Sequence, residues 1–482
     1  MNWILLIEIL YTIFIALVCF RIILDTRSSS KALAYILIVV FIPLLGLFIY
    51  FSFGINYRKY KIYNKKIFFH KEERKLLISS VRTTRDLILE EPNNYLLKYK
   101  GLVDLVLNQS FSPISNTNNI TILKNGEKKF PKVMEAIRNA KNHIHIEYYI
   151  FEMDEIGNQI IDLLIEKAKE GVKVRFIYDD FGSWGIKKRH SKKLREAGIE
   201  IYPFYKIKLI FFANRINYRN HRKIIVIDGK IGFIGGINVC DKYINSTKQQ
   251  LYWRDTHLMI EGPAVSTLQY VFIGDWNYCA QQKLETNRQI FPDLQDLRFG
   301  SHLAQMVASG PDSDTALIEQ SICKAISLAK KEILITTPYY APGDTISNII
   351  MIAALSGVKV RILIPGKSDS IFVNLANLSH VGSLLKAGVE VYMYQKGFVH
   401  AKTMVIDGEI AIVGTANMDQ RSFELNFEIN AIIYEKGIAQ IVQQQFYEDL
   451  KDSKIVDGPT WYKRRKIRKL IEKMAGLFSP MV

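Results

Sequence analysis

Two apolar runs open the chain. Trp3 to Phe20 carries one charge, Glu8, over 18 residues, and Ala32 to Phe53 carries none over 22. At helical rise they extend roughly 27 and 33 Å, enough for a hydrocarbon layer of about 30 Å. The pattern therefore predicts an N-terminal two-helix transmembrane hairpin over 1–56, with a modest bend at Pro43 and Gly46. No Lys or Arg precedes the first run and no small-residue cleavage pattern follows it, which sets it apart from a signal peptide. Residues 57–119 turn charged and helix-compatible, then loosen at PISNTNN (113–119), as a linker or capping segment would.

From Ile120 onward strands and helices alternate. IHIEYYIF (144–151) reads as a buried strand, Asn158–Lys169 as a helix stopped by Gly171, and VKVRFIYDD (172–180) as the next strand. A short helix closing at Gly198 leads into IEIYPF (199–204). This β-α-β order predicts a largely parallel sheet with helices on its faces. The order then repeats: ILITTPYY (333–340) answers IHIEYYIF, GVKVR recurs at 171 and 357, and AGIEIY at 197 is echoed by AGVEVY at 387. The expected fold is α/β, a duplicated unit over 120–300 and 301–460 with pseudo-two-fold symmetry, closed by a basic tail at 461–482.

Charge and cysteine usage narrow the chemistry. The chain has 64 Lys plus Arg against 47 Asp plus Glu, a net charge of +17, which favours an anionic partner such as nucleic acid or an acidic membrane surface. Cys19, Cys240, Cys279 and Cys323 are far apart, against a disulfide framework or a structural zinc site. There is no H-E-x-x-H spacing and no acidic cluster beside the candidate chemistry, so no metal or other cofactor is expected. Arg21, Arg27 and Lys31 join the two apolar runs, while Arg58, Lys59, Lys61, Lys65 and Lys66 follow them, a bias that puts the C-terminal side in the cytoplasm. Lys206–Arg219 (KIKLIFFANRINYR) and Lys463–Lys473 (KRRKIRKLIEK) interleave cations with apolar residues, as segments lying on anionic lipid do.

One string occurs twice with the same internal spacing. NHRKIIVIDGKIGFIGGINVCD (220–241) contains His221, Lys223, Asp228 and Asn238, and VHAKTMVIDGEIAIVGTANMD (399–419) contains His400, Lys402, Asp407 and Asn417. On a strand, residues two apart share a face, so each His and Lys look into one pocket. Asp228 and Asp407 fall at the turn that ends the strand and are expected to brace the hairpin or its neighbour. Glycines in the returning strand admit a ligand close to the backbone, and Asn238 and Asn417 come back toward the lysines as donors to substrate phosphate. Two His, two Lys and two Asn suit a phosphodiester: one imidazole attacks phosphorus, the other protonates the departing oxygen, and lysines and amides hold the charge that builds. A nucleophilic His needs an acceptor at its other ring nitrogen. Candidates lie downstream of each string, Asp255 at 34 residues past His221 and Glu428 at 28 past His400. His70, His143, His145, His190, His257, His302 and His380 lack such pairing and are assigned to core or surface.

The two strings resemble the paired HKD motifs of the phospholipase D superfamily. With FIPLLGLFIY, IEYYIF, NYRNHRKIIVIDG, WRDTH, TPYY and GTANMDQRSFELNFEINA, the whole chain resembles bacterial cardiolipin synthases of the phospholipase D type. Gly236 stands where many members carry Ser or Thr. The resemblance implies two phospholipase D-like domains and a reaction in which two phosphatidylglycerol molecules give cardiolipin and glycerol through a phosphohistidine. It also implies His221 as nucleophile, His400 as acid/base, and residence in the bacterial cell membrane. The expected partners are phosphatidylglycerol and anionic membrane lipids rather than nucleic acid, with a homo-oligomer left open. A phospholipase D-type hydrolase would use the same residues with water as acceptor, and another phosphatidyltransferase would use them with a different alcohol. A nuclease of the superfamily would also be basic but would not need two membrane spans.

Overall fold

The structure is a computed structural model that describes residues 3–26, 29–51, 85–86, 88–90, 95–110, 112–186, 188–204, 218–246, 251–284, 287–294 and 297–477. His70, the cluster from Arg58 to Lys66, and all of the 206–219 loop except Tyr218 and Arg219 lie outside these residues. Helix α1 (Trp3–Asp25) is one run of 23 residues with most of its apolar side chains turned outward. It is long and apolar enough to cross a membrane.

The second apolar run departs from the expected single span. It divides into α2 (Ser29–Phe41) and α3 (Pro43–Ile49), with Ile42 between them at φ −136° and ψ 70°. Pro43 has no N–H with which to continue the α2 ladder, so it starts a new helix instead of bending the old one. Gly46 then lies on the α2 backbone, where a Cβ would fall 2.5 Å from Val39 Cα. The 13 residues of α2 rise only about 20 Å, less than a hydrocarbon layer. Tyr50 donates to Asp25 at 3.2 Å across this segment, and Lys31 pairs with Glu424 of the catalytic body at 3.3 Å.

The body is built on a 15-stranded sheet whose two halves repeat one strand order about a central seam. In the first half, Glu200–Phe204, Lys173–Asp179 and His143–Tyr148 run parallel. Lys223–Ile227, Ile231–Gly235, Thr256–Glu261 and Ser115–Lys124 follow in antiparallel pairs. In the second, Glu390–Tyr394, Lys359–Pro365 and Glu332–Thr336 are the parallel set. Thr403–Ile406, Ile410–Gly414, Glu428–Ile433 and His302–Ser309 follow, and Ser453–Ile455 adds the fifteenth strand at the edge, antiparallel to Glu390–Tyr394. Ser115–Lys124 meets His302–Ser309 at the seam. The sheet is thus mixed and not largely parallel. Within this sheet only strands joined through crossover helices run parallel, whereas the Asp–Gly turn of each HKD string returns its strand antiparallel. One apolar core joins the halves, with Ile224, Val226 and Leu258 packed among Val405, Val413 and Ala431.

The basic tail forms a helix, Lys466–Leu477. Its Glu472 is buried and held by Arg464 at 2.7 Å, while Ile467, Leu470, Ile471, Met474 and Leu477 face outward among the cations.

Asp228 and Asp407 occupy the left-handed region, at φ 53° and 55°, each followed by a glycine with positive φ. Such turns match the twist of a two-stranded hairpin. Both carboxylates look away from the pocket. Asp228 accepts from the backbone N–H groups of Lys141, Asn142 and His143 at 2.8, 2.7 and 2.9 Å. Asp407 does the same for Lys330, Lys331 and Glu332 at 2.9, 2.8 and 2.9 Å. They are motif residues but not groups that can touch a substrate: each clamps the start of the adjacent strand. Replacing Asp228 or Asp407 by Ala is expected to cost roughly 2–3 kcal/mol of stability, from charge-assisted bonds to three otherwise orphaned donors. Denaturant titration of the purified variants checks this. Residual activity per folded molecule should stay within about tenfold of the parent, unlike that of the histidine variants discussed below.

Candidate active site

His221 and His400 stand just ahead of Lys223–Ile227 and Thr403–Ile406, and each is tied by its backbone to the opposite half. His221 N–H donates to Phe427 O at 3.0 Å, and His400 N–H donates to Arg254 O at 2.7 Å. The short strand Gly397–Val399 pairs parallel with Tyr252–Arg254, and Asn220 bridges to Phe427 in the same sense. These bridges cross the expected His–carboxylate pairing. His221 Nδ1 meets Glu428 at 2.8 Å, and His400 Nδ1 meets Asp255 at 2.7 Å. The two acceptors are therefore the residues that sequence spacing singled out, but each serves the histidine of the other half. With Nδ1–H donated to a carboxylate, each ring keeps its lone pair at Nε2, which in His400 lies 3.1 Å from Lys402 Nζ.

The lysines complete the repeat. Lys223 Nζ donates to His221 O and Lys402 Nζ to His400 O, each at 2.7 Å, and Lys402 also lies 3.1 Å from both His400 ring nitrogens. Burial lowers the lysines, Lys223 to about 7 and Lys402 to about 8. Burial also takes His221 down to about 4 against the pull of Glu428, and His400 well below its ordinary value with help from Lys402. Both imidazoles are thus neutral near pH 7. The charge of Lys402 reaches His221, and His221 in turn acts on His400, so the two strings share one electrostatic site.

The two carboxylates diverge. Burial raises Asp255 to about 6 against the opposing charge of Lys402. Burial also raises Glu428, but His221, Lys223 and the Thr415 hydroxyl outweigh it and hold this group below its ordinary value. Thr415 Oγ1 donates to Glu428 at 2.5 Å. Gly236, at the matching position, has no hydroxyl to offer, and a Cβ there would fall 2.2 Å from Asp255 Oδ1. The glycine is therefore what lets Asp255 approach.

Asn238 and Asn417 are both buried, but only the first has its oxygen engaged. Asn238 accepts from Ile150 N–H at 3.3 Å and donates to the Tyr243 hydroxyl at 3.0 Å, which itself lies 3.5 Å from His400 Nδ1. Asn417 Oδ1 has no hydrogen-bond partner among the described residues. Several neighbours were not anticipated from spacing. Tyr149 sits edge-on to His221 at 5.0 Å, and Tyr243, Trp253 and Phe398 surround His400 at 5.9, 5.6 and 5.8 Å. Phe398 lies two residues before its His, where the first string has Arg219, so no repeated residue marks it. Behind the motif, Asn220 donates to Glu147 and Arg222 pairs with Asp275, which fixes the residues on either side of His221. His143 and His145 are buried against Gln269, and His257 is buried with neither ring nitrogen bonded. Among the described residues one group has metal-ligand spacing, Glu152, Asp154 and Cys240, and there Asp154 is engaged in capping the helix Glu155–Lys169.

Comparison with known proteins identifies the family. Residues 133–276 and 322–450 match the family described as cardiolipin synthase, PLD-like domain, and residues 10–54 match the phospholipase D-nuclease N-terminal family. The cardiolipin synthase of Geobacillus sp. (strain WCH70) is 40% identical over 476 residues, covering 98% of this chain and 93% of that protein. Cardiolipin synthase 2 of Staphylococcus epidermidis is 40% identical over 464 residues, covering 95% and 94%. Among solved structures, a phosphatidylserine synthase from Haemophilus influenzae shares the fold, with a TM-score of 0.60 at 15% identity over 79% of this chain and 98% of that one. With both HKD repeats matched and relatives alike over nearly its full length, the chain belongs to the cardiolipin synthase family of phospholipase D-like proteins.

Proposed function

We propose that the protein joins two phosphatidylglycerol molecules into cardiolipin and free glycerol by phosphatidyl transfer through a histidine. The observation that carries this reading is the crossed pair of His–carboxylate contacts, which aims two neutral imidazoles at one lysine-lined site. His400, protonated at Nε2 in the complex because the negative charge of the bound phosphodiester raises it, gives the departing glycerol oxygen that proton as His221 Nε2 attacks phosphorus and the bond from phosphorus to the glycerol oxygen breaks. A second phosphatidylglycerol then offers its terminal hydroxyl. His400 takes the hydroxyl proton, the new oxygen–phosphorus bond forms, and the bond to His221 breaks. The ionised Glu428 favours His221 as nucleophile, since it stabilises the imidazolium formed on attack. Asp255, poised at about 6, suits the partner that gives and takes a proton. Lys223, Lys402, Asn238 and Asn417 are assigned to the substrate phosphate.

The membrane arrangement is also part of the proposal. The N-terminal helices would form a hairpin in the bacterial cell membrane with the catalytic body on the cytoplasmic face. Lys31–Glu424 would seat that body against the anchor, and the helix Lys466–Leu477 would rest on anionic lipid.

His221→Ala and His400→Ala should each lower cardiolipin formation by at least roughly a thousandfold while the protein stays membrane-inserted. With phosphatidylglycerol labelled at phosphorus, the labelled phosphatidyl group should accumulate on His221 in the His400→Ala protein and not on His400 in the reverse variant. Retained turnover in either would end the two-histidine mechanism, and phosphatidic acid in place of cardiolipin would make the enzyme a hydrolase.

The pH profile follows from the same groups. Below about pH 6, Asp255 takes up a proton and ceases to orient His400, so kcat/KM should fall on the acid side. Above pH 7–8, Lys223 and then Lys402 lose the charge that attracts the phosphodiester, so kcat/KM should fall again. A bound anion raises the lysines, so the alkaline limb of kcat should lie at higher pH than that of kcat/KM. Steady-state rates in detergent micelles across pH 5–10 test this, and a flat kcat/KM between pH 6 and 10 would contradict it.

A further inference from the structure

The duplicated site is not symmetric in its lining. By the offset that relates His221 to His400, Phe398 corresponds to Arg219 and Tyr243 to Ser422. By the offset that relates Asp255 to Glu428, Trp253 corresponds to Asn426. Three aromatic rings around one imidazole are thus replaced by a guanidinium, a hydroxyl and an amide around the other.

The replacements leave buried polar atoms unmatched. Arg219 is 3% exposed, Asn417 6% and Asn426 8%. Among the described residues, the two terminal nitrogens of Arg219 and the side-chain oxygens of Asn417 and Asn426 make no hydrogen bond. Arg219 lies over the Phe181 ring at 4.6 Å, and its ion pair with Asp179 stretches to 3.9 Å. The Asp179 oxygens already accept from the Phe181, Gly182 and Asn220 N–H groups. Ser422 does not take the place of Tyr243, because its Oγ accepts from the Asn417 backbone N–H at 3.1 Å. Arg219 and Asn426 border one histidine, and Asn417 follows two residues after Thr415, which bonds the carboxylate of that same histidine. Phe427 N–H donates to Arg219 O at 2.9 Å, and Asn426 Nδ2 reaches Glu428, the partner of His221, at 3.4 Å.

Buried donors and acceptors without partners are costly, and so many in one place point to a ligand that satisfies them. A guanidinium fork fits an anionic phosphate oxygen, and amide oxygens fit hydroxyl donors. We infer that Arg219, Asn417 and Asn426 form a subsite beside His221 for a glycerol phosphodiester headgroup. This deepens the proposed transferase reading and rests on it. Two molecules carry that chemistry, the phosphatidyl donor and the phosphatidyl acceptor.

The test uses purified full-length protein in mixed micelles of phosphatidylglycerol, comparing the parent with Arg219→Lys, which keeps the charge but loses the fork, and with Asn426→Ala. Glycerol release, cardiolipin and phosphatidic acid are measured against surface concentration of phosphatidylglycerol, alongside thermal unfolding. Loss of the fork should lower kcat/KM for cardiolipin formation on the order of tenfold to a hundredfold, mainly through KM. If the acceptor headgroup is held, phosphatidic acid rises at the expense of cardiolipin while glycerol release continues. If the donor headgroup is held, KM for glycerol release rises with the product split unchanged, and the departing glycerol then lies at His221, which exchanges the roles of the two imidazoles. Both variants within about twofold of the parent in KM and product split, or a loss confined to kcat, would overturn the subsite. Should Arg219→Lys fail to fold, Asn426→Ala decides alone. A parent protein that makes neither cardiolipin nor a lipid-phosphorylated histidine would instead remove the transferase reading beneath it.

Discussion

Each motif imidazole is held by a carboxylate that the other half of the molecule supplies. His221 with Glu428 and His400 with Asp255 are bonded through their Nδ1 atoms, and the backbone N–H of each histidine is bonded across as well. Both carboxylates have no exposed surface. A buried carboxylate stripped of its partner costs several kcal/mol, so the halves cannot part without penalty at both histidines at once. The apolar core that joins the sheets and the geometry of the pocket are therefore one structural fact. Neither repeat contains a complete site, although each contains a complete motif.

This constraint also marks where the sequence stops being informative. The repeat of His, Lys, Asp and Asn was plain from spacing, as were Asp255 and Glu428 as candidate acceptors. Which carboxylate serves which histidine was not. The pairing depends on three-residue bridges between Gly397–Val399 and Tyr252–Arg254, too short to leave a periodic trace. The clamping role of Asp228 and Asp407 could be read, because an Asp–Gly turn an odd number of residues from the His cannot share its face. The parallel sheet was read too broadly, since crossover helices leave a clear pattern while the hairpin strands between them look equally apolar. The membrane segment shows the same limit. Hydropathy records a run of 22 apolar residues, but the Pro43 break is set by a missing N–H and a backbone packed on Gly46.

Duplication gave the two strings the same groups, and small substitutions gave those groups different chemistry. Thr415 donates to Glu428, whereas Gly236 donates nothing to Asp255, and the two carboxylates move in opposite directions from their ordinary values. The Tyr243 hydroxyl stands between Asn238 and His400, while Ser422 turns back on its own chain. A site of two equivalent histidines would have no physical basis for dividing the work of nucleophile and acid. Here that basis is one hydroxyl and a ring of aromatic residues.

Electrostatics finally explain why so many basic groups can be buried together. Two lysines and two imidazoles against two carboxylates would carry excess positive charge if all were protonated. Burial resolves this by keeping both imidazoles neutral and bringing the lysines down toward neutrality. An arriving phosphodiester reverses the balance at the lysines, since its negative charge favours their protonated form. Charge that would destabilise the empty pocket is thereby present when phosphorus is in place, where it stabilises the oxygens of the transition state. On the proposed mechanism the attacking imidazole would already be neutral, so no proton would have to leave the pocket before the bond to phosphorus forms.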